Sequence, residues 1–309
     1  LGNARPVTEG SYDVKEASWG PTYFKYGLQL RSDFDKDSDW RMLINVTRMS
    51  LNRLGAEWRN ELQLGSAQDI VSEFYQPLDP QGILFLAPNA TYRSELQDVY
   101  QGDKRLAEYD VRTVEGRFDV GLQLRRYAEL RVGPFWGSGK ASVDTGSTDL
   151  PELDEQLAGW RVGLILDRQD RTIFAREGYY LKVDGQFARE GLGGDRTFEK
   201  ASVQFQEQLS AGDHTFTLGL QGGSSLGSEL PPYAQFTLGG PFVFAGLAED
   251  QFRGSYLGVA SLGHRYRLMT LPSQLGRGVY TIARLDVGNV WPDDVDTGDL
   301  RTGAAVGIG

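Results

Sequence analysis

Between residues 160 and 187 the chain alternates apolar and polar side chains twice over. Trp160, Val162, Leu164 and Leu166 fall on one phase, with Arg161, Gly163 and Asp167 on the other. After a charged turn, Tyr179, Leu181, Val183 and Phe187 oppose Tyr180, Lys182, Asp184 and Gln186. A period of two predicts strands with one oily and one wet face. The same pattern recurs along nearly the whole chain. It is read at 24–30, 40–46, 57–64, 71–76, 84–96, 106–125 and 129–133 before this hairpin. It returns at 201–209, 215–221, 256–268 and 279–290, and in a last strand from about 301. That makes about fourteen strands.

The connections alternate in length. Tight ones are expected at 52–55, 126–127, 170–178 and 211–213, and longer polar ones at 137–156, 190–197 and 222–255. Short turns at one end and long loops at the other characterise an outer-membrane barrel. A transmembrane strand takes about 9–11 residues plus its connection, so 309 residues suit a single barrel of this kind. The expected class is therefore all-β, a transmembrane antiparallel β-barrel over residues 22–309. A soluble β-sandwich also alternates, but it has less use for Trp19, Trp40, Trp160, Tyr179 and Trp291 near strand ends, where interfacial girdles lie.

Composition narrows the field. Hydrophobic residues make up 40% of the chain, and no run approaches a membrane helix. Cysteine is absent, which removes disulfide and thiolate–metal chemistry. A formal net charge of -10 argues against nucleic acid as a partner. No signal peptide is visible. Leu1 is not a start residue, so the chain reads as an internal piece of a longer precursor.

Charges gather on the polar phase, among them Lys25, Arg31, Arg41, Glu57, Arg59, Glu61, Arg93, Asp119, Glu129, Arg131, Arg284 and Asp286. On the lipid face each charge would cost about 2–4 kcal/mol near the midplane, so the lumen is their expected place. They form either a salt-bridge lattice or a wet conduit for an extended chain, and the two are compatible. Catalytic signals are weak. Gly223-Ser224-Ser225-Leu226-Gly227 spells GxSxG, but Pro231-Pro232 follows where a nucleophile elbow needs a helix. Asp184-Gly185 lies mid-strand, and the histidines are His214 and His264. No catalytic site, cofactor or metal is expected in this chain.

Several motifs carry a resemblance. Leu166-Asp167-Arg168-Gln169-Asp170, with Phe174 and Glu177-Gly178-Tyr179, resembles a hallmark hairpin of the bacterial surface antigen superfamily, marked by Asp167, Asp170 and Gly178. Ala283–Trp291 resembles that superfamily's D-x-G-x-V-W strand. Phe236-Thr237-Leu238-Gly239-Gly240 resembles the start of a loop that folds back into the lumen. The resemblance implies sixteen strands, an outer-membrane location and protein insertion or translocation, with periplasmic POTRA domains. By that standard the chain stops about two strands short. Residues 1–21 would be the tail of a preceding POTRA domain, with Tyr12–Glu16 as its last strand.

A narrower resemblance is to the C-terminal barrels of patatin-like type Vd autotransporters. It rests on Ser18-Trp19-Gly20-Pro21, Leu51–Arg59, Gln76-Pro77-Leu78 and Phe85-Leu86-Ala87-Pro88. It implies a translocator for an N-terminally fused patatin-like lipase. An insertase, a passive porin and a soluble β-protein are the rivals. Expected partners are outer-membrane lipids, the barrel assembly machinery and the covalently fused passenger, with a homo-oligomer as a further option. At the superfamily's arginine-bearing loop tip this chain has Phe244-Ala245-Gly246-Leu247. Arg253 either takes over the lumenal ion pair or that pair is absent. Arg284 and Asp286 share a face, so Asp286 is expected to anchor the loop through Arg253 or Arg284.

Overall fold

The computed structural model describes residues 22–309 except 33–37, 66, 102–103, 146–151, 172–173, 241–242, 249 and 272–277, with backbone alone at 29–32, 38–39, 98–101 and 104–106. The expected POTRA tail at 1–21, including Trp19, lies outside the described residues, as does the side chain of Arg31.

Fourteen strands form one antiparallel sheet in chain order. They are β1 (Thr22–Ser32), β2 (Ser38–Arg48), β3 (Glu57–Gly65), β4 (Ala67–Pro77), β5 (Leu84–Gln101), β6 (Lys104–Leu124), β7 (Ala128–Thr145), β8 (Leu153–Asp167), β9 (Gly178–Ala188), β10 (Phe198–Ala211) and β11 (His214–Ser224), followed by β14 (Tyr256–Thr270), β15 (Gly278–Trp291) and β16 (Arg301–Ile308). The remaining pair, β12 (Phe236–Leu238) and β13 (Phe252–Gly254), forms a separate ribbon within the loop between β11 and β14. Among the described residues β1 and β16 do not pair, so the sheet is not closed by a ladder there. It is curled nonetheless: Arg93 of β5, Lys200 of β10 and Leu257 of β14 line one cavity.

The alternation sorts the side chains as an inverted core. Phe118, Val120, Leu122 and Leu124 of β6 are between 38% and 49% exposed, whereas Asp119 between them is 2% exposed. Trp58, Trp136, Trp160, Val203, Phe216 and Leu262 are likewise exposed, and Asn89 and Asp286 are buried. A water-soluble sandwich would place these the other way round. Large apolar groups outside and charges inside suit a surface solvated by lipid.

Two sequence expectations change. The loop expected at 137–156 contracts, because β7 runs to Thr145 and β8 begins at Leu153. Gly137–Asp144 lacks an oily phase, so periodicity misses it. Pairing with β6 and β8 nevertheless satisfies its backbone. Trp291 is buried, not set in a lipid-facing girdle: its indole N–H donates to the Asp296 carbonyl at 2.8 Å, under the 292–300 loop.

Interior packing uses glycine where a ring crosses a strand. Phe85 is fully buried, its ring 4.6 Å from that of Tyr75 and beneath the Arg131 guanidinium. A Cβ at Gly121 would lie 2.0 Å from this ring. Gly121→Ala is therefore expected to cost about 1–3 kcal/mol by overpacking. The check is the temperature at which the folded band converts in heat-modifiable gel migration; an unchanged midpoint would contradict this packing argument.

Candidate functional site

Residues 225–255 do not stand out as a free loop. They turn into the lumen and supply five of the eleven buried residues of its apolar core, Leu230, Ala234, Phe236, Leu238 and Phe244. Pro231 and Pro232 open a single 3-10 turn at Pro232–Ala234. The chain then runs through β12, and β13 returns antiparallel to it. Gly239, Gly240 and Gly246 adopt φ of 142°, 90° and 87°, conformations that glycine supplies at little cost. Phe236, Leu238 and Phe244 pack with Phe135, Leu157, Phe198, Val259 and Val290 of the inner wall.

The tip is held by a polar clamp. The Asp286 carboxylate, 0% exposed, accepts the Ala245 N–H at 2.9 Å and the Arg284 Nε–H at 2.7 Å. Arg284 in turn donates to the Val243 carbonyl at 2.8 Å and to Ser261 Oγ at 3.0 Å. One carboxylate and one guanidinium thus tie two backbone groups of the loop to β15 and β14. Charge-assisted bonds of this kind are roughly twice as strong as neutral ones. The geometry depends on β16 as well: a Cβ at Gly303 would lie 2.1 Å from the Ala245 carbonyl oxygen.

The structure therefore brings together Phe244, Ala245, Arg284 and Asp286, with Leu247 packed against the same core. Gly246 makes the turn. Arg253 sits apart, in β13, lining a cavity of about 390 Å³ with Arg93, Glu95, Lys200 and Asp250. Sequence reasoning missed three further holds. Lys200 Nζ donates to the Ala234 carbonyl at 2.5 Å and lies 4.3 Å from the Phe236 ring centroid. Tyr233 Oη donates to Glu155 at 2.6 Å, and Glu155 also pairs with Arg196 at 2.7 Å. Gly303 is the third. The proline pair before Tyr233 was the available signal, since it marks a turn that fixes where the ring goes.

Farther round the sheet, from β3 to β8, the inward charges do form a lattice. Glu73 binds both Arg59 and Arg131, and each arginine also binds a glutamate two residues before it, Glu57 or Glu129. Arg161 reaches Glu115 at 2.7 Å, and Asn89 donates to Asp119 at 3.2 Å. Partly exposed pairs contribute about 0–1 kcal/mol each, so the lattice organises the wall more than it stabilises it.

The hallmark hairpin folds under the other end of the barrel. Asp167 accepts the Gln169 N–H at 3.0 Å; Asp170 accepts those of Arg176 and Glu177 at 2.8 and 3.3 Å. Gly178 has φ 103°, and a Cβ there would lie 2.1 Å from the Arg168 carbonyl oxygen. These residues shape the turn. The backbone N–H of Arg176, above all, holds the Asp170 carboxyl below the usual carboxylate range. A depressed folded-state pKa contributes stability that is present above the unfolded value and lost as pH falls through the folded one. Asp170→Asn is thus expected to weaken the barrel at neutral pH yet flatten its loss of stability on acidification. Heat-modifiable migration scored against pH for both forms checks this, and parallel profiles would reject it.

The GxSxG sequence closes β11 and enters the loop, and Ser225 is 1% exposed. His214 and His264 face each other at 3.0 Å at the opposite end of β11. That separation, roughly 30 Å along a strand, gives Ser225 no histidine base. Among the described residues no cluster of three or more His, Asp or Glu could hold a metal ion.

Comparison with known proteins places this geometry. Residues 20–309 match the model of the Omp85 superfamily domain. No curated protein sequence is similar enough to count as a match. Among solved structures, the chain is similar to BamA from Haemophilus ducreyi lacking POTRA domains 1-3, with a TM-score of 0.71 and 15% identity over 95% of this chain and 64% of that one. It is also similar to CdiB from Acinetobacter baumannii, with a TM-score of 0.62 and 12% identity over 93% of this chain and 53% of that one. CdiB from Escherichia coli gives a TM-score of 0.62 and 16% identity over 87% of this chain and 52% of that one. The chain thus spans between about half and two thirds of the length of these proteins. With its apolar face outward and a tethered loop in its lumen, the chain belongs to the Omp85 superfamily of bacterial outer-membrane β-barrels.

Proposed function

We propose that this barrel translocates a passenger attached before β1, a patatin-like lipase by the resemblance of its motifs, to the cell surface. The observation that carries this reading is the clamped loop. A passive porin needs a constriction, whereas here a 31-residue connection, 225–255, packs an apolar core inside the lumen and is held there by the Asp286–Arg284 clamp, Lys200 and the Tyr233–Glu155 bond. Such a plug seals the membrane at rest. The polar lattice of β3 to β8 offers a wet wall along which an extended chain passes with little desolvation. β1 begins at the end opposite the 225–255 loop, and this reading assigns that end to the periplasm, since the long loops of such barrels are extracellular. A passenger attached there starts on the side from which it must be exported. The barrel itself performs no catalysis in this reading.

The test is an epitope placed before β1 in the full-length chain, produced in an outer-membrane host. Protease should remove it from intact cells. An epitope held in the periplasm beside an assembled barrel would overturn the proposal. If depletion of the protein instead lowers the level of other outer-membrane barrels, insertion is the correct activity. A steady single-channel conductance in the wild type would support a porin.

A further inference from the structure

At the turn-side end of the lumen lies a second cavity, of about 300 Å³, that neither the clamp nor the lattice uses. Arg171, Arg176, Arg265, Arg267, Phe174 and Tyr280 line it, and Asp213 is the one carboxylate among the described lining residues. Asp213 is occupied by Arg267, and Asp170, just outside, pairs with Arg171 at 3.1 Å. The other two guanidiniums donate to backbone: Arg176 to the Gly212 carbonyl at 2.5 Å, and Arg265 to that of Ala175 at 2.6 Å. Carbonyls satisfy hydrogen bonds without neutralising charge. Four guanidiniums therefore face two carboxylates, in a chain whose formal net charge is -10.

The site is held in place by aromatic rings. Phe174 stacks on Tyr280 at 5.3 Å, and the Arg265 guanidinium lies 5.1 and 5.5 Å from the two ring centroids. Phe174 takes φ 54°, a left-handed conformation that a bulky residue adopts at a cost. Such strain persists where the surroundings enforce it, and it gathers at ligand sites. Arg265 and Tyr280 lie on the inward phase of β14 and β15, the phase of Arg284 and Asp286. The cavity therefore opens to the lumen, where a peptide can reach it and a lipid headgroup cannot easily do so.

We infer that this cavity is a docking site for acidic side chains of an extended peptide arriving at the periplasmic mouth. Guanidiniums grip carboxylates in a two-pronged geometry, and the flanking rings supply contact that does not depend on sequence. The inference rests on the translocator reading, since it supplies that reading with a first contact for the chain in transit.

The experiment uses the full-length protein in detergent micelles and a fluorescent dodecapeptide of alternating Glu and Ser, with a Gln-for-Glu twin. Anisotropy should show the acidic peptide binding about tenfold more tightly at low salt, with the gap closing as salt rises. Replacing both turn arginines, Arg171→Gln with Arg176→Gln, should remove most of that gap and leave the Gln peptide unaffected. Arg171→Lys with Arg176→Lys should restore part of it. Heat-modifiable migration confirms that each variant is folded. Equal affinity for the two peptides, or a gap that survives the double Gln variant, would overturn the site. So would retention of anionic phospholipid, but not the peptide, by the two arginines. Passenger display is scored in parallel. Selective peptide binding without display leaves the site standing and removes the translocator reading; display without selective binding does the reverse.

Discussion

Asp286→Ala is expected to lower the unfolding midpoint of the barrel and to open its lumen. The Asp286 carboxylate is fully buried and serves two partners at once, the Ala245 N–H and Arg284. Removing one member of such a pair costs about 3–5 kcal/mol, because a charge is left buried without its partner. The expected loss is at the lower end of that range. The Arg284 side chain is 22% exposed and keeps its bonds to Val243 and Ser261, so lumenal water can take up part of the charge. Asp286→Asn keeps an acceptor for the Ala245 N–H but not the charge, so an intermediate loss is expected. Two measurements check this. Heat-modifiable migration reads stability, and planar-bilayer recording reads the loop, whose release should raise and destabilise the conductance. A variant that melts and conducts as the wild type does would show that the clamp does not hold the loop.

Phe244→Ala should rival it through a different mechanism. Phe244 is 1% exposed and belongs to the core that the loop forms with the inner wall. Truncating a buried phenylalanine costs about 3–5 kcal/mol, less where the site collapses. The polar clamp is untouched, so the loop should loosen with its tether intact. Both substitutions act on the same tip, and the double variant should cost less than the sum of the two. Gly303→Ala separates space from tether. Its Cβ would meet the Phe244 ring at 2.9 Å but the Ala245 carbonyl oxygen at 2.1 Å. Phe244→Ala therefore should not rescue it. Rescue would mean that the ring, and not the backbone of the tip, sets the spacing between β16 and the loop.

The residues that were legible in the chain are those whose role follows from a local period. Alternation placed Phe118, Val120 and Leu122 outward and Asp119 inward, because each strand presents one face to lipid and one to the lumen. Asp286 and Arg284 could be assigned to the lumen in the same way, being two apart on one strand. Where strands run beyond the apolar band, as β7 does from Gly137 to Thr145, the oily phase ends and the signal ends with it. Trp291 has the composition of a girdle residue, but a neighbouring loop covers it.

The loop shows the same division. The long polar gap at 222–255 marked a connection, and Phe236–Gly240 resembled the start of an infolded loop. Which charge holds it was not readable. Arg253 and Arg284 were equal candidates by residue type, and the fold decided for Arg284, whose guanidinium reaches both Asp286 and the Val243 carbonyl. The partners Val243, Ser261 and Gly303 carry no chemical signature at all, since two of them contribute only backbone or the absence of a side chain.

By itself the sequence determined the all-β class, the number of strands in the main sheet and which phase faces lipid, because pairing and solvent preference act residue by residue at a fixed period; the family resemblance came from its motifs at 166–179, 236–240 and 283–291. Only the tertiary structure decided which inner-wall residues the loop packs against and that Arg284 shares the Asp286 clamp with the Ala245 N–H and the Val243 carbonyl. It also decided that four arginines meet around one cavity under the hallmark hairpin. Those arrangements join residues tens to a hundred positions apart, and the curl of the sheet brings them together in ways no local pattern encodes.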